Sequence, residues 1–563
     1  MNTKKVVIIG GVAGGATAAA RLRRLSEQVE IVLFERGEHI SFANCGLPYY
    51  IGGTIEERDK LLLQTPEKMS KKFNMDIRTR SEVVAINRER KTVTVKKLGS
   101  DEIYEKNYDK LILSPGAKPF VPTIKGLDKA PSTFTLRNIP DTDKIKSYIN
   151  MHNPKHATVI GGGFIGLEMA ENLHELGVQV SLVERSRQVM EALDFEMAAI
   201  LQDHIESKGV KLFLDDSVEE VIGQGEMLLL KSGKTLETDL IILSAGVQPE
   251  SNLAETAGLA LGNRKTIAVN EFLQTSDADI YAVGDAIEVK DIVSGQDCFV
   301  PLAWPANRQG RIVADSILGK KTSYRGTLGT AIAKVFDFTG ATTGNNEKVL
   351  QRLGKPYLTA HIHPNSHAAY YPGAKPMALK ILFSSQDGSV YGAQGVGEVG
   401  VDKRIDVLAT AIKGGLSVYD LSELELAYAP PYSSAKDPVN MLGYVSSNML
   451  EENLKTYQWH EVDRFVKKGK YFLDVREKAE VESGMIKGAY HIPVDDIRER
   501  HNELPKDKTI HIYCHAGLRG YLAFRTLSQL GFNVTNLDGG FKTYQMAKKQ
   551  LEKLNPSDAL ELV

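Results

Sequence analysis

Cysteine is scarce: Cys45, Cys298 and Cys514 are the only three in 563 residues. Three thiols cannot all pair off. Their wide spacing excludes a disulfide framework or a zinc cluster, so no metal site is expected. Such usage points to a reducing compartment, where a cysteine serves by its reactivity. Net charge is nearly absent as well. With 69 basic and 71 acidic side chains the formal charge is -2, which gives nucleic acid or an anionic membrane no reason to bind. Long apolar runs are missing too. The nearest, from Val6 to Ala20 behind two lysines, imitates a secretory signal. It carries Gly10, Gly11, Gly14 and Gly15 and stops at Arg21, short of the roughly 18 residues of a membrane span. A cytoplasmic location is expected.

What is present suits an ordinary globular chain, 42% hydrophobic and 25% charged. At about 150 residues per domain, the length implies three or four domains. Lys4 to Ile9 is a β-branched run ending in Gly10-Gly11-Val12-Ala13-Gly14-Gly15. An alanine-rich helical stretch follows, then an apolar strand from Val29 to Phe34 that ends on Glu35. Glycines let the backbone turn tightly and approach a pyrophosphate at a helix N-terminus, and the acid can accept hydrogen bonds from a ribose. The middle glycine position of the fingerprint holds Val12. A second unit is complete: strand Ala157 to Ile160, then Gly161, Gly163 and Gly166, a helix closed by Gly177, and a strand ending at Glu184. Two such units imply two bound dinucleotides. Glu184 suits a free 2'-hydroxyl and favours NADH, while Arg185 and Arg187 leave NADPH open.

Tyr108 to Ala117 and Thr238 to Val247 are similar strand-turn segments that close the two units, and Asp285 follows a strand and Gly284. Together these residues resemble the FAD-binding signature of pyridine-nucleotide-disulfide reductases, over roughly the first 445 residues. The resemblance implies FAD as cofactor, with Asp285 on its ribityl chain. It also implies cofactor contacts from Gly10, Gly11, Ala13, Gly14, Glu35, Arg36, Asn44, Gly246, Gly284 and Ala303. The expected fold is α/β. An FAD-binding domain spans 1–117 and 240–324 and an NAD(P)H-binding domain 118–239. An α+β dimerisation domain spans 325–447, followed by a linker over 448–458.

Cys45 lies in Ser41-Phe42-Ala43-Asn44-Cys45-Gly46-Leu47-Pro48-Tyr49. The best-known members of the family pair two cysteines there, but the second position is Tyr50, so no internal disulfide can form. A lone redox cysteine can form a mixed disulfide, a persulfide or a sulfenic acid. The segment resembles the coenzyme A-disulfide reductase branch, in which the cysteine cycles through a mixed disulfide with coenzyme A. A sulfenic acid in an NADH oxidase or peroxidase is the alternative. Cys298, between apolar neighbours, reads as structural. Arg21, Arg23 and Arg24, with Lys71 and Lys72, are candidates for the coenzyme's 3'-phosphate. Ser41 and Asn44 join Arg21, Arg24 and Lys71 as candidate substrate contacts. The same resemblance assigns to Tyr428, and to Tyr370 or Tyr371, the role of serving the leaving thiolate from the partner subunit. A homodimer with shared active sites follows from it.

Beyond a polar stretch from Ser446 to Gln458, strand Tyr471 to Asp474 and Gly484 to Pro493 precede Cys514-His515-Ala516-Gly517-Leu518-Arg519. A cysteine at a strand end, before a loop that feeds a helix, sits among backbone N–H groups that lower a thiol pKa. Arg519 is expected to add positive charge to the same bowl. These segments resemble the rhodanese-like domain, placed at 459–553, and imply sulfur transfer through a Cys514 persulfide. A phosphatase loop usually has one more residue before its arginine. Two sulfur sites on one chain suggest one pathway, acting on coenzyme A disulfide, persulfide or a polysulfide.

Overall fold

The computed structural model describes residues 4–554. It divides into two compact units: residues up to Val183 with Asp216–Gly329, and Glu184–Asp215 with the chain from Thr330 onward.

The first unit holds both glycine turns. Its first sheet runs Ile280–Ala282, Lys110–Leu113, Lys5–Ile9, Glu30–Phe34 and Asp76–Arg78, all parallel. Val6, Val7 and Ile8 are fully buried. That is why the strand reads as an unbroken β-branched run rather than an alternation, as parallel sheets covered on both faces require. Helix Gly14–Leu25 connects the first two strands and packs against helix Ala303–Ile317. The second parallel set runs Gln179–Glu184, His156–Ile160, Leu240–Leu243 and Thr133–Thr135, with helix Phe164–Glu175 as its first crossover. The segments after the two closing strands meet each other, Ala117–Pro119 pairing antiparallel with Val247–Pro249.

In the second unit, Ala331–Val335, Phe338–Gly344, Val390–Gly397, Met377–Ser384 and Tyr357–Ile362 form an antiparallel sheet in that order, with Tyr357–Ile362 at one edge. Helix Val401–Gly414 lies against it. A further parallel sheet, ordered Thr456–Tyr457, Val534–Leu537, Ile510–Tyr513, Tyr471–Asp474 and Tyr490–His491, belongs to the C-terminal region.

The stretch expected to be a linker is largely structured. Helix Pro438–Leu450 covers its beginning and strand Thr456–Tyr457 its end. The helix starts on a reciprocal Asp437–Asn440 cap with Pro438 in its first turn. Val439, Leu442, Ser446 and Met449 are buried at helical spacing. Ser446, at the start of the polar stretch, belongs to this inward stripe.

Candidate active site

The two glycine turns are built alike. A Cβ on Gly10 (φ +98°) would lie 2.0 Å from the Ser114 carbonyl oxygen, and one on Gly161 (φ +111°) 2.4 Å from that of Ser244. A Cβ on Gly15 would meet the Gly10 carbonyl oxygen at 1.9 Å, and one on Gly166 the Gly161 oxygen at the same distance. These four positions exclude any side chain. Gly163 differs: a Cβ there would meet nothing within 4 Å. The fold makes no demand for a glycine in the middle of the turn, which is why Val12 can stand at that place in the first unit.

The Glu35 carboxylate accepts from the N–H groups of Gly11 (2.9 Å) and Gly37 (2.8 Å), and so sits at the mouth of the first turn. Ala13 precedes the helix at φ +47°, a left-handed conformation that a non-glycine residue holds at some strain. Arg36 and Arg137 both donate to the Glu250 carboxylate, which they hold below its ordinary range against the opposing effect of burial. Gly284 donates its N–H to Gln309 of helix Ala303–Ile317, whose first residue is Ala303. Beside Gly284, burial lifts the Asp285 carboxyl to about 6, with Arg137 opposing. A carboxylate held dry in this way suits a ligand that offers hydroxyl donors. The cradle that only glycine fits, the acid at its mouth and this carboxyl together match a dinucleotide with a polyol chain. Gly246 (φ +101°) follows the second closing strand, facing open space. In the second unit, the Glu184 carboxylate accepts from the N–H and hydroxyl of Ser186.

Cys45 is exposed, in a single turn, Asn44–Gly46, that leads into helix Leu47–Ile51. The segment is brought back to the first glycine turn by the Ser41 N–H, which donates to the Gly11 carbonyl at 3.0 Å. It meets the second dinucleotide unit through Tyr49, whose hydroxyl donates to Glu168 at 3.4 Å. Burial lifts the Glu168 carboxyl to about 7. The Cys45 thiol is pushed up by burial, then by the Glu168 and Asp285 carboxylates. The lone cysteine therefore stands between the two nucleotide folds, and sequence reasoning missed Glu168 and Tyr49 beside it. Cys298 is partly buried and packed on the core, with its thiol pushed up to about 12 by burial.

A cleft of about 230 Å³ lies beside this segment, lined by Thr17, Arg24, Ser41 and Lys72 among others. Of the expected substrate contacts, Arg24 and Ser41 line it. Arg21 is paired with Asp315 at 2.8 Å, and buried Arg23 donates to five backbone carbonyls, so both are held structurally. In helix Pro66–Phe73, Met69 is buried and Lys72 and Phe73 follow it at three and four residues on the cleft side. Lys71 is off that face and is not among the lining residues. Asn44 lies in the turn that carries Cys45 and does not line the cleft.

In the second unit the tyrosine hydroxyls of Tyr370 and Tyr428 lie 3.0 Å apart, both exposed, Tyr370 at 76%. Tyr371 instead packs edge-on against His367. The two loops are tied together by the Ala368 N–H, which donates to the Ser433 carbonyl, and by Arg404. Arg404 is 1% exposed and donates to the Ser366 carbonyl, the Ser433 hydroxyl and Asp437. Its helix position gave no sequence signal for this role.

Cys514 directly follows strand Ile510–Tyr513, is 1% exposed, and its Sγ accepts from the Gly517 N–H at 3.1 Å. Helix Leu518–Gln529 begins directly after. Arg519 does not stand free in the bowl. It donates to both carboxylate oxygens of Glu480, at 2.6 and 2.7 Å, and that pairing pulls Glu480 down to about 2.

Two dinucleotide cradles with one cysteine between them define a reductase of two-nucleotide type, with a second thiol site in a separate C-terminal sheet. Comparison with known proteins agrees. The family model for pyridine nucleotide-disulphide oxidoreductases matches residues 4–310, that family's dimerisation domain 330–438, and the rhodanese-like domain 458–547. A coenzyme A disulfide reductase of Staphylococcus haemolyticus is 39% identical over 447 residues, 79% of this chain and all of the relative. The crystal structure of reduced Bacillus anthracis CoADR-RHD superposes with a TM-score of 0.97 at 58% identity, covering 98% of this chain and 99% of that one. A NAD-dependent persulfide reductase from A. fulgidus gives 0.90 at 38% identity, over 96% and 100%. The chain belongs to the pyridine nucleotide-disulphide oxidoreductases, in their coenzyme A-disulfide reductase branch, and carries a C-terminal rhodanese-like domain. It is an oxidoreductase of a family whose cofactors are FAD and NAD(P)H. Among the described residues, no helix is long and apolar enough to cross a membrane.

Proposed function

We propose that this enzyme reduces coenzyme A disulfide or coenzyme A persulfide with NADH, through Cys45 alone, and that Cys514 handles the sulfane sulfur. The observation that carries the reading is the placement of a lone Cys45 between two dinucleotide cradles, without a second thiol to close a disulfide. FAD, when bound, supplies the passage of an electron pair from the nicotinamide to sulfur. The chain's part begins with the Cys45 thiolate attacking the substrate disulfide, forming a mixed disulfide and releasing one thiolate. Two electrons then cleave the mixed disulfide, returning Cys45 and releasing the second thiolate. A persulfide substrate yields one thiol and one sulfide by the same balance. Arg24 and Lys72 are the cations available in the cleft for the coenzyme's phosphate.

In this reading Tyr370 and Tyr428 of the partner subunit donate a hydrogen bond or a proton to the departing thiolate. Their mutual 3.0 Å contact favours Tyr370 over Tyr371. A homodimer with shared sites in the cytoplasm follows, with domain limits near those expected from sequence. Glu184 and the nucleotide named for the A. fulgidus relative favour NADH over NADPH. The test is mass analysis of Cys45 peptides from purified holoenzyme, before and after dithiothreitol. A reducible adduct of coenzyme A mass supports the reading. An oxygenated Cys45 that turns over oxygen or peroxide would replace it with an oxidase or peroxidase.

A further inference from the structure

A second device lies in the second unit, away from the tyrosines. His361 sits on the edge strand Tyr357–Ile362 and is buried. Its Nδ1 is 2.6 Å from one Asp538 oxygen, and its backbone N–H donates to the other at 2.9 Å. Its Nε2 is 3.0 Å from Glu196 of helix Phe195–Ser207. Both ring nitrogens face carboxylate oxygens, and only the imidazolium can donate twice. Asp538 and Glu196 accordingly lift the ring to about 9, against the desolvation that burial imposes.

Asp538 directly follows strand Val534–Leu537, which pairs with the strand leading to Cys514, and Gly539 and Gly540 come next in left-handed conformations (φ +69° and +66°). A Cβ on Gly539 would meet the His361 Cβ at 2.9 Å. A Cβ on Gly540 would meet the carbonyl oxygens of Cys514 and His515 at 2.8 and 2.7 Å. The next two N–H groups, of Phe541 and Lys542, donate to those same carbonyls at 2.8 and 2.9 Å. One turn of backbone thus lies between the His361 ring and the loop that holds the thiol. His363, just past the end of that strand, adds a bond to Thr543 at 2.7 Å.

The geometry points to His361 and Asp538 as positioning residues for sulfur transfer: a buried ion pair by which the dimerisation sheet sets the Cys514 loop of the rhodanese-like domain. The loop's shape is then fixed from outside its own domain, and neither residue touches the transferred sulfur. This rests on the reading of Cys514 as a sulfur-carrying thiol.

The test uses full-length flavin-loaded enzyme with His361→Gln, Asp538→Asn and the double variant. Two readouts are followed: amide hydrogen exchange of residues 514–517 and 540–542, and steady-state sulfur transfer from thiosulfate to cyanide. Removing one partner of a buried pair is expected to cost roughly a hundredfold in exchange protection of both segments. The sulfur-transfer kcat falls with little change in KM, while NADH-dependent flavin reduction is unchanged. The double variant loses no more than either single one, because the two act as a unit. Unchanged protection in both single variants, or additive losses, would overturn the proposal. If the wild type transfers no sulfur at all, the reading of Cys514 fails, and the exchange data alone then decide the positioning role. Should either variant not fold, the other carries the test alone.

Discussion

Replacement of Lys380 by methionine should produce a stability deficit that depends on pH in a direction fixed by the surrounding carboxylates. Lys380 is 0% exposed. Its Nζ lies 2.9 Å from Asp194 and 2.5 Å from Glu196, and it also pairs with Glu347. The three acids are spaced as a metal site would be, but the ammonium already stands among them. Methionine keeps the length and removes the charge, while His361 stays bonded to Glu196. At least one carboxyl must then take a proton to remain buried. Holding a glutamate protonated at pH 7.5 costs about 1.4 kcal/mol for each unit above its ordinary 4.3, or roughly 4 kcal/mol, and at pH 5.5 roughly 2. The folded-state pKa of that group is raised, so the stability it contributes is present at low pH and lost as pH rises. The deficit against wild type should therefore shrink on acidification. Urea unfolding followed by near-UV circular dichroism at pH 5.5 and 7.5 measures it. A deficit equal at both values would show that lost packing, not unpaired charge, is the cause, and no deficit would refute the argument outright.

Three further outcomes are expected. Arg404→Lys keeps the charge but loses the planar fork that joins Ser366, Ser433 and Asp437; kcat for disulfide reduction should drop about tenfold or more, with the KM for NADH unchanged. Glu168→Gln removes a carboxylate that pushes the Cys45 thiol up, so the pH midpoint of Cys45 alkylation by iodoacetamide should move down; an unmoved midpoint means Glu168 does not act on the thiol. Arg24→Ala and Lys72→Ala should each raise the KM for coenzyme A disulfide roughly tenfold and leave that for a disulfide without phosphate unchanged, measured by NADH consumption.

The parts of the fold that were legible in the sequence are those whose cause is local. A turn that excludes a Cβ at Gly10, Gly15, Gly161 and Gly166 must be written as glycine, and the apolar strands on either side are written by burial on both faces. Val12 broke the pattern at a place where the protein itself packs nothing. The polar stretch from Ser446 misled for the opposite reason, because the stripe of Val439, Leu442 and Met449 carries a helix on through Ser446, Ser447 and Asn448. Long-range pairs left no local trace. Tyr370 and Tyr371 are indistinguishable until Tyr428 is brought beside one of them, and Glu480 lies 39 positions before the arginine it pairs with. The ion cluster around Lys380 and His361 draws its acids from three separate segments, each of which reads alone as a solvated charge.

The two reactive thiols sit in opposite environments, and the contrast bears on how they divide the chemistry. Cys45 keeps an exposed face, while partial burial of its thiol and then the carboxylates of Glu168 and Asp285 oppose its ionisation. Cys514 is buried, with an N–H directed at its sulfur and a helix N-terminus following at once. Fixed dipoles of that kind can hold the charged outer sulfur of a bound persulfide. Arg519 belongs to the same setting and is paired with Glu480. A site that holds an anionic sulfur by N–H donors suits storage and transfer. A site that keeps its thiol protonated until a redox partner and substrate are in place suits reduction. That contrast supports the proposed division, in which Cys514 receives the sulfane sulfur and Cys45 reduces it, because the reverse assignment would put the anion where the carboxylates are.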